Sequence, residues 1–438
     1  MTFIALGLLL LAISGEPLFI IIGGMAFANF YFVIDIAPAT LFTDFYRLTT
    51  MPIFVAIPLF IFSGYLLADT RLPEKMLRLT NALVGWLPGG LCFVALIACS
   101  IFTAFTGASA ITIVGIGTLL YPVFQKDGYP ENFTLGLITT GGSLGTLLMP
   151  CLPLILYGVI AGQQKGVSLN VEDMFIAGLL PAILLIALLY AYAFFFGIKY
   201  SPLKKFSFAE VAAATWEIKW ELPLPVLVVG GILTGLFSAP EAAAVAAIYV
   251  LVVEWFVIRD LNFRKLISII RRSMIMNGAI LMIVGMALGL TDVFVTLSVP
   301  EKLFEFLGQY ITSKYTFLLL LNGFLLMVGA LMDIFSACAI VVPIVVPIAL
   351  KYGVDPVHLG IIFLANLELG FLTPPVGMSL FISSLKFNKS LPTIVRSILP
   401  FIALLLIGVL LITYIPALSL YLLEFTDKPA IIDPSSLL

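Results

Sequence analysis

The chain has 438 residues, 62% of them hydrophobic and only 11% charged, with a mean hydropathy of +1.18 and a formal net charge of −2. So few charges cannot cover a water-facing surface, so composition places the chain among integral membrane proteins and excludes a soluble globular enzyme. The charge balance is too small to attract nucleic acid, and apolar runs recur along nearly the whole length, leaving no segment for a separate soluble domain.

The opening MTFIALGLLLLAIS lacks the basic stretch and small-residue cleavage site of a secretory signal and reads as a first membrane helix. Two short crossings precede an outer loop at 35–47, a crossing follows at about 51–69, and an amphipathic segment begins at LPEK, 72–75. Segments 88–106 and 109–124 flank the small polar turn TGASA and are expected to form a re-entrant hairpin over about 88–124. The next crossing, about 131–162, is broken by GGSLGTLLMP, and one from about 173 to 198 closes a first repeat over 1–198. Residues 199–221 read as a cytoplasmic connector. A second repeat, 222–425, carries a hairpin at about 315–350 turning at LMDIFS, then a broken crossing at about 357–385 holding NLELGFLTPP; a tail covers 426–438.

The repeat rests on residues that are not interchangeable. At a spacing of about 225, Glu16 falls opposite Glu241, Pro122 opposite Pro347, Gly128 opposite Gly353, Gly145 opposite Gly370 and Pro150 opposite Pro375, while LPEK recurs as VPEK at 299–302. Apolar matches are cheap in such a chain, whereas matched prolines, glycines and charges are not. Charge then reverses between equivalent loops. Arg259, Arg264, Lys265, Arg271 and Arg272 oppose Asp260 alone at 259–272, but the counterpart near 35–47 holds Asp35, Asp44 and Arg47. Lys386, Lys389 and Arg396 stand without an acid, against Lys165 with Glu172 and Asp173. Arg71, Lys75 and Arg78 outweigh Glu74, whereas Glu301 and Glu305 outweigh Lys302. Three reversals predict an all-α polytopic protein of two inverted-topology repeats, each with a re-entrant hairpin and a broken helix, and an amino terminus outside.

Irregular backbone at membrane depth survives only where protein, water or ions satisfy its peptide groups, so freed carbonyls become ligands for a hard cation. Gly145 and Gly370 permit local backbone geometry, Pro150, Pro374 and Pro375 stop helices, and Ser143 and Thr373 add hydroxyl oxygen. Helix amino termini facing the same gap favour an anion. Asp333, at the second hairpin tip, either supports a cation or caps the following helix. Glu368 reads as a proton or cation group, or as a hydrogen-bonded structural carboxylate. Glu16 and Glu241 resemble helix-start charges. Cys92, Cys99, Cys151 and Cys338 indicate neither a disulfide framework nor a metal cluster, and His358, the one histidine, suits neither catalysis nor metal.

At these residues the chain resembles the large membrane subunit of tripartite ATP-independent periplasmic (TRAP) transporters, within the broader ion-transporter superfamily. The resemblance runs over about 5–425, on TGASAITIVGIGTLLYP at 106–122, GSLGTLLMPCLPLILYGVIAG at 142–162, PEAAAVAAIYVLVV at 240–253, LMDIFSACAIVVPIVVPI at 331–348 and NLELGFLTPPVGMSLFI at 366–382. It implies import of an organic anion, carboxylate or sulfonate, with a sodium gradient, a small membrane subunit and a periplasmic substrate-binding protein. It also implies an elevator, in which hairpins and broken helices move past a scaffold. Carried over by position, one sodium ion would be held by Thr103, Thr106, Ser109, Gly145, Leu148 and Pro150. A second would be held by Gly329, Asp333, Gly370, Thr373 and Pro375, with Asn366 bracing the broken helix. Substrate would lie near Thr106, Ser109, Ser143, Pro150, Ser336 and Pro374. Many relatives read IPPS where this chain has LMPC at 148–151, and some carry an acid where Thr112 stands.

Two other readings compete. A stand-alone sodium- or proton-coupled anion transporter would share the hairpins without needing a binding protein. An intramembrane hydrolase needs paired aspartates or an activated nucleophile, and Asp333 has no aspartate at its equivalent position.

Overall fold

A computed structural model describes residues 18–425 apart from 35–36, 38, 52, 88, 108, 165, 168, 201–205 and 375–376. The described residues contain helices and no strand. Among the described residues, six helices are long and apolar enough to cross a membrane, or up to eight if two sharply bent pairs each count as one span. The first segment expected from sequence, before Leu18, lies outside the described residues, as do Glu16 and Asp35.

The first half contributes α1 (Leu18–Asn29), α2 (Thr40–Thr50), α3 (Ile53–Ala68), α4 (Leu72–Val84), α5 (Gly90–Thr106), α6 (Ser109–Lys126), α7 (Glu131–Gly141), α8 (Leu152–Gly162) and α9 (Val171–Tyr200). Between α3 and α4 the chain bends by 73°. The LPEK sequence explains the restart, because Pro73 lacks an N–H and is tolerated in a helix's first turn. Within 199–221, read as a connector, the chain forms a further helix, α10 (Phe208–Glu217), started by Ser207, whose hydroxyl accepts from the Glu210 N–H at 3.3 Å.

After a short helical run at Pro223–Leu233 come α11 (Ala239–Val252), α12 (Phe263–Thr296), α13 (Val299–Gly308), α14 (Lys314–Leu331), α15 (Ile334–Lys351), α16 (Pro356–Gly370), α17 (Met378–Phe387) and α18 (Leu391–Tyr414). Polar caps fix several starts: Asn262, Ser313, Asp333 and Asp355 accept from the first N–H groups of α12, α14, α15 and α16. Glu241 accepts from the Ser238 N–H at 2.8 Å, the helix-start role read from sequence.

The spacing of about 225 also organises the packing. Helix α1 packs on α12 as its equivalent α11 packs on α3; α5 packs on α7 as α14 packs on α16. More telling, α8 packs on α15 of the other half, and its equivalent α17 packs on α6. The halves therefore interleave, each lending part of its broken helix to the other's hairpin. Nearly every residue of α8 and α16 is buried, so the broken helices run through the centre.

Candidate functional site

Between α7 and α8 the chain leaves the α-helix for one tighter turn, Leu144–Leu147, and the two arms meet at 42°. Gly145 lies directly on α5. A Cβ there would sit 2.2 Å from the Ser100 carbonyl oxygen and 2.6 Å from the Ala104 nitrogen. Its φ is not in the left-handed region, nor is that of Gly370. Both glycines are therefore required for close approach, which corrects the reading that they supply backbone freedom. Thr103 stitches the same contact: its Oγ1 lies 2.8 Å from the Cys99 and Gly142 carbonyl oxygens and 2.7 Å from Thr112 Oγ1. The carbonyls of Gly145 and Leu148 accept the N–H groups of Leu148 and Cys151, each at 3.1 Å, and each keeps a second lone pair. Thr106 donates to the Phe102 carbonyl at 2.9 Å, and Pro150 is buried.

The second break repeats the first. A Cβ on Gly370 would lie 2.6 Å from the Cα of Gly329, on α14, the residue equivalent to Ala104. Thr373 donates through its N–H to the Gly370 carbonyl at 2.8 Å and through its hydroxyl to the Leu369 carbonyl at 2.9 Å. The Ala330 carbonyl, at the end of α14, accepts the Gly377 N–H at 3.2 Å and ties the hairpin to the break. Thr373 is half-buried and Pro374 exposed; Pro375 falls outside the described residues.

Asp333 is a cap. Its Oδ1 accepts the N–H groups of Phe335 and Ser336, both at 3.0 Å, and its Oδ2 accepts the Ser336 hydroxyl at 2.5 Å. Ser336, assigned to substrate by resemblance, is fully buried in this cap. Asp333→Ala should cost about 1 kcal/mol, with Asp333→Asn close to wild type, in thermal unfolding of the purified protein. Asn366 holds helices together: its Nδ2 donates to Asn322 Oδ1 on α14 at 2.5 Å, and Thr413 on α18 donates to the same oxygen at 3.1 Å. The resemblance implies a bracing role for this residue. His358 is likewise structural, between Ser419 Oγ at 3.2 Å and the Thr413 carbonyl at 3.3 Å.

Hydroxyl pairs join the halves. Ser109, at the start of α6, lies 3.4 Å from Ser379 at the start of α17, and Thr139 lies 2.8 Å from Ser383. Two helix amino termini thus stand side by side with hydroxyls between them, an arrangement that favours an anion. Thr146 donates to Glu368 at 2.8 Å and links the two breaks. Sequence reasoning passed over Thr146, Ser379, Ser383 and Asn322; the spacing of 225, which sets Ser143 opposite Glu368, was a usable signal for the first.

The donors gathered at the breaks are hydroxyl and carbonyl oxygens. Among the described residues no group of three His, Cys, Asp or Glu side chains is placed to hold a metal. Oxygen donors without thiolate or imidazole suit a hard cation and not a transition metal, so the residues fit sodium.

The family model of the tripartite ATP-independent periplasmic transporter, DctM component, matches residues 4–418. The chain belongs to this family. It is 33% identical to the C4-dicarboxylate TRAP transporter large permease protein DctM of Rhodobacter capsulatus over 437 residues, 96% of this chain and 98% of that protein. The DctM of Pseudomonas aeruginosa is also 33% identical, over 84% of this chain and 85% of its own length. The isethionate TRAP transporter permease protein DctMQ of Oleidesulfovibrio alaskensis is 33% identical over 86% of this chain, which spans 59% of that longer protein. In fold, this DctM-family chain resembles the crystal structure of the Alcanivorax borkumensis YdaH transporter, with a TM-score of 0.63 at 16% identity over 89% of each chain. Its relatives are transport permeases and not enzymes, which removes the hydrolase reading.

Proposed function

We propose that this chain is the large membrane subunit of a sodium-coupled importer of a small organic anion, a carboxylate or sulfonate, in the bacterial inner membrane. It works with a small membrane subunit, takes its cargo from a periplasmic substrate-binding protein, and has its amino terminus outside. One observation carries the reading. Each half seats its broken helix by a glycine on its own hairpin, giving two oxygen-rich breaks at equivalent places.

Two such places suit two sodium ions. Thr103, Thr106, Ser109, Gly145, Leu148 and Pro150 would hold the first; Gly329, Asp333, Gly370 and Thr373 would hold the second, to which the resemblance adds Pro375, with Asn366 bracing α16. Bound sodium supplies positive charge beside the cargo. The adjoining amino termini of α6 and α17 add N–H dipoles, which supports an anion near Thr106, Ser109, Ser143, Pro150, Ser336 and Pro374. Relatives named for C4-dicarboxylates and for isethionate favour the same charge. Because the hairpins and broken helices interleave, they can move as one body past α1, α3, α11 and α12, as an elevator.

The test is reconstitution with the small subunit in proteoliposomes, measuring uptake of candidate dicarboxylates and sulfonates under an inward sodium gradient, with and without the binding protein. Uptake needing both sodium and the binding protein is expected. Equal uptake without the binding protein would replace this reading with a stand-alone transporter.

A further inference from the structure

One buried hydrogen bond crosses between the two breaks, and it lies where equivalent positions of the two halves meet. Ser143 in the first break and Glu368 in the second stand 225 residues apart, the spacing that aligns the repeats, and their side chains are neighbours. In a molecule whose halves are related by an approximate two-fold axis, equivalent residues come together only beside that axis. Glu368 therefore sits near the centre of symmetry, and it is the one acidic residue within either broken segment at this depth. Thr146 Oγ1 donates to Glu368 Oε2 at 2.8 Å, with Thr146 2% and Glu368 1% exposed. The neighbouring Ser143 hydroxyl donates to the Thr140 carbonyl at 3.0 Å and also faces the Glu368 carboxyl. Thr146 and Ser143, both in the first break, thus face this carboxyl, and Thr146 makes the hydrogen bond to its Oε2.

Position along the chain gives the bond its leverage. Thr146 follows Gly145, the residue seated on α5, and Glu368 precedes Gly370, the residue seated on α14, by two. A shift of either break against its hairpin moves one end of the bond. Both ends are buried, so water cannot replace the lost partner, and a displaced Thr146 would leave Glu368 Oε2 without that donor.

We propose that Thr146 and Glu368 are a positioning pair that locks the two breaks into one arrangement, so that sodium bound at one break raises the affinity of the other. The inference rests on the sodium reading given above. Neither side chain need touch an ion; the pair fixes the backbone on which both sets of oxygens are carried. Coupling between two sites is reciprocal, and a coupling of ordinary size changes affinity by roughly 5- to 150-fold.

The experiment is a sodium titration against choline chloride at constant ionic strength, on the full chain purified with its small subunit. Calorimetric sodium binding and sodium-specific thermal stabilisation are the readouts, so neither depends on transport. Wild type should bind sodium steeply, with a Hill coefficient above unity. Thr146→Val, nearly equal in shape, should bring the Hill coefficient to about one and weaken apparent affinity by about tenfold, while Thr146→Ser restores both. Glu368→Gln, whose amide oxygen still accepts, should lie close to wild type, and Glu368→Leu should match the valine variant. Thr146→Ala gives the same comparison should the valine variant be lost in purification. If a folded Thr146→Val or Thr146→Ala protein keeps wild-type steepness and affinity, the pair does not couple the breaks and this inference is overturned while the sodium reading stands. If wild type itself shows no sodium-specific binding, the sodium reading falls and the coupling falls with it.

Discussion

Gly370→Ala is expected to destabilise the protein by about 3 kcal/mol, the upper part of the range for forcing atoms into a packed core, and to abolish sodium-dependent uptake. The added Cβ would lie 2.6 Å from the Cα and 2.7 Å from the carbonyl carbon of Gly329. These are backbone atoms of a helix, so no rotamer change can make room, and the break must lift off its hairpin. Gly145→Ala should behave alike, since its Cβ would meet the Ser100 carbonyl oxygen and the Ala104 nitrogen of α5. Gly323→Ala is the contrast. It lies on the same helix as Gly329 but nothing stands within 4 Å of its added Cβ, so helix propensity alone acts and the change should stabilise by up to about 1 kcal/mol. Thermal unfolding followed by size-exclusion chromatography, with uptake in proteoliposomes, separates the three. A Gly370→Ala protein with wild-type melting and uptake would show that the close contact between α14 and α16 is dispensable.

The repeat was legible because its evidence lay in residues that physical chemistry treats as special. Pro122 with Pro347 and Gly145 with Gly370 are costly in a membrane helix unless something requires them, so their common spacing carried information that leucine matches could not. The same spacing recurs in the contacts, where Gly145 meets Ala104 and Gly370 meets its equivalent, Gly329. The purpose of those glycines was not legible, because close approach and a left-handed backbone ask for the same residue. Asp333 was ambiguous for a similar reason: a carboxylate just before a helix suits both a cap and a cation, and only the geometry to Phe335 and Ser336 reveals the capping contact. Cross-chain pairs were hidden most thoroughly. Asn366 finds Asn322 on α14 and Glu368 finds Thr146 in the other half, and nothing local to either sequence names its partner. The run at 199–221, short and flanked by lysines, read as a connector, yet AEVAAATWE within it has good helix formers and a serine cap, and it docks on α4 through charges that come from elsewhere in the chain.

Lys75→Ala should be the most damaging change on that docking surface, at about 3–5 kcal/mol, because it strands a buried acid. Lys75 Nζ lies 2.5 Å from Glu221 Oε1, with the two side chains 11% and 4% exposed. Glu221 Oε2 and Glu254 Oε1 have no hydrogen-bond partner among the described residues, and Lys75 is among the charges that act on Glu254. One lysine therefore offsets carboxylates from the connector and from just beyond α11, joining the connector and the second half to α4. Arg78, one helical turn further on, makes two ion pairs, to Glu210 at 2.9 Å and Glu217 at 2.5 Å, and counting bridges would rank it above Lys75. Its pairs are 41–48% exposed, however, so water already solvates both partners, and Arg78→Ala should lower the melting temperature far less than Lys75→Ala does. Comparing the two melting temperatures decides whether burial or bridge number matters. The double change Lys75→Met with Glu221→Leu removes the stranded charge as well as the pair, and should recover most of the stability that Lys75→Ala loses. If the double variant melts as low as Lys75→Ala, the lysine acts through its packing against the arm and not by offsetting buried charge.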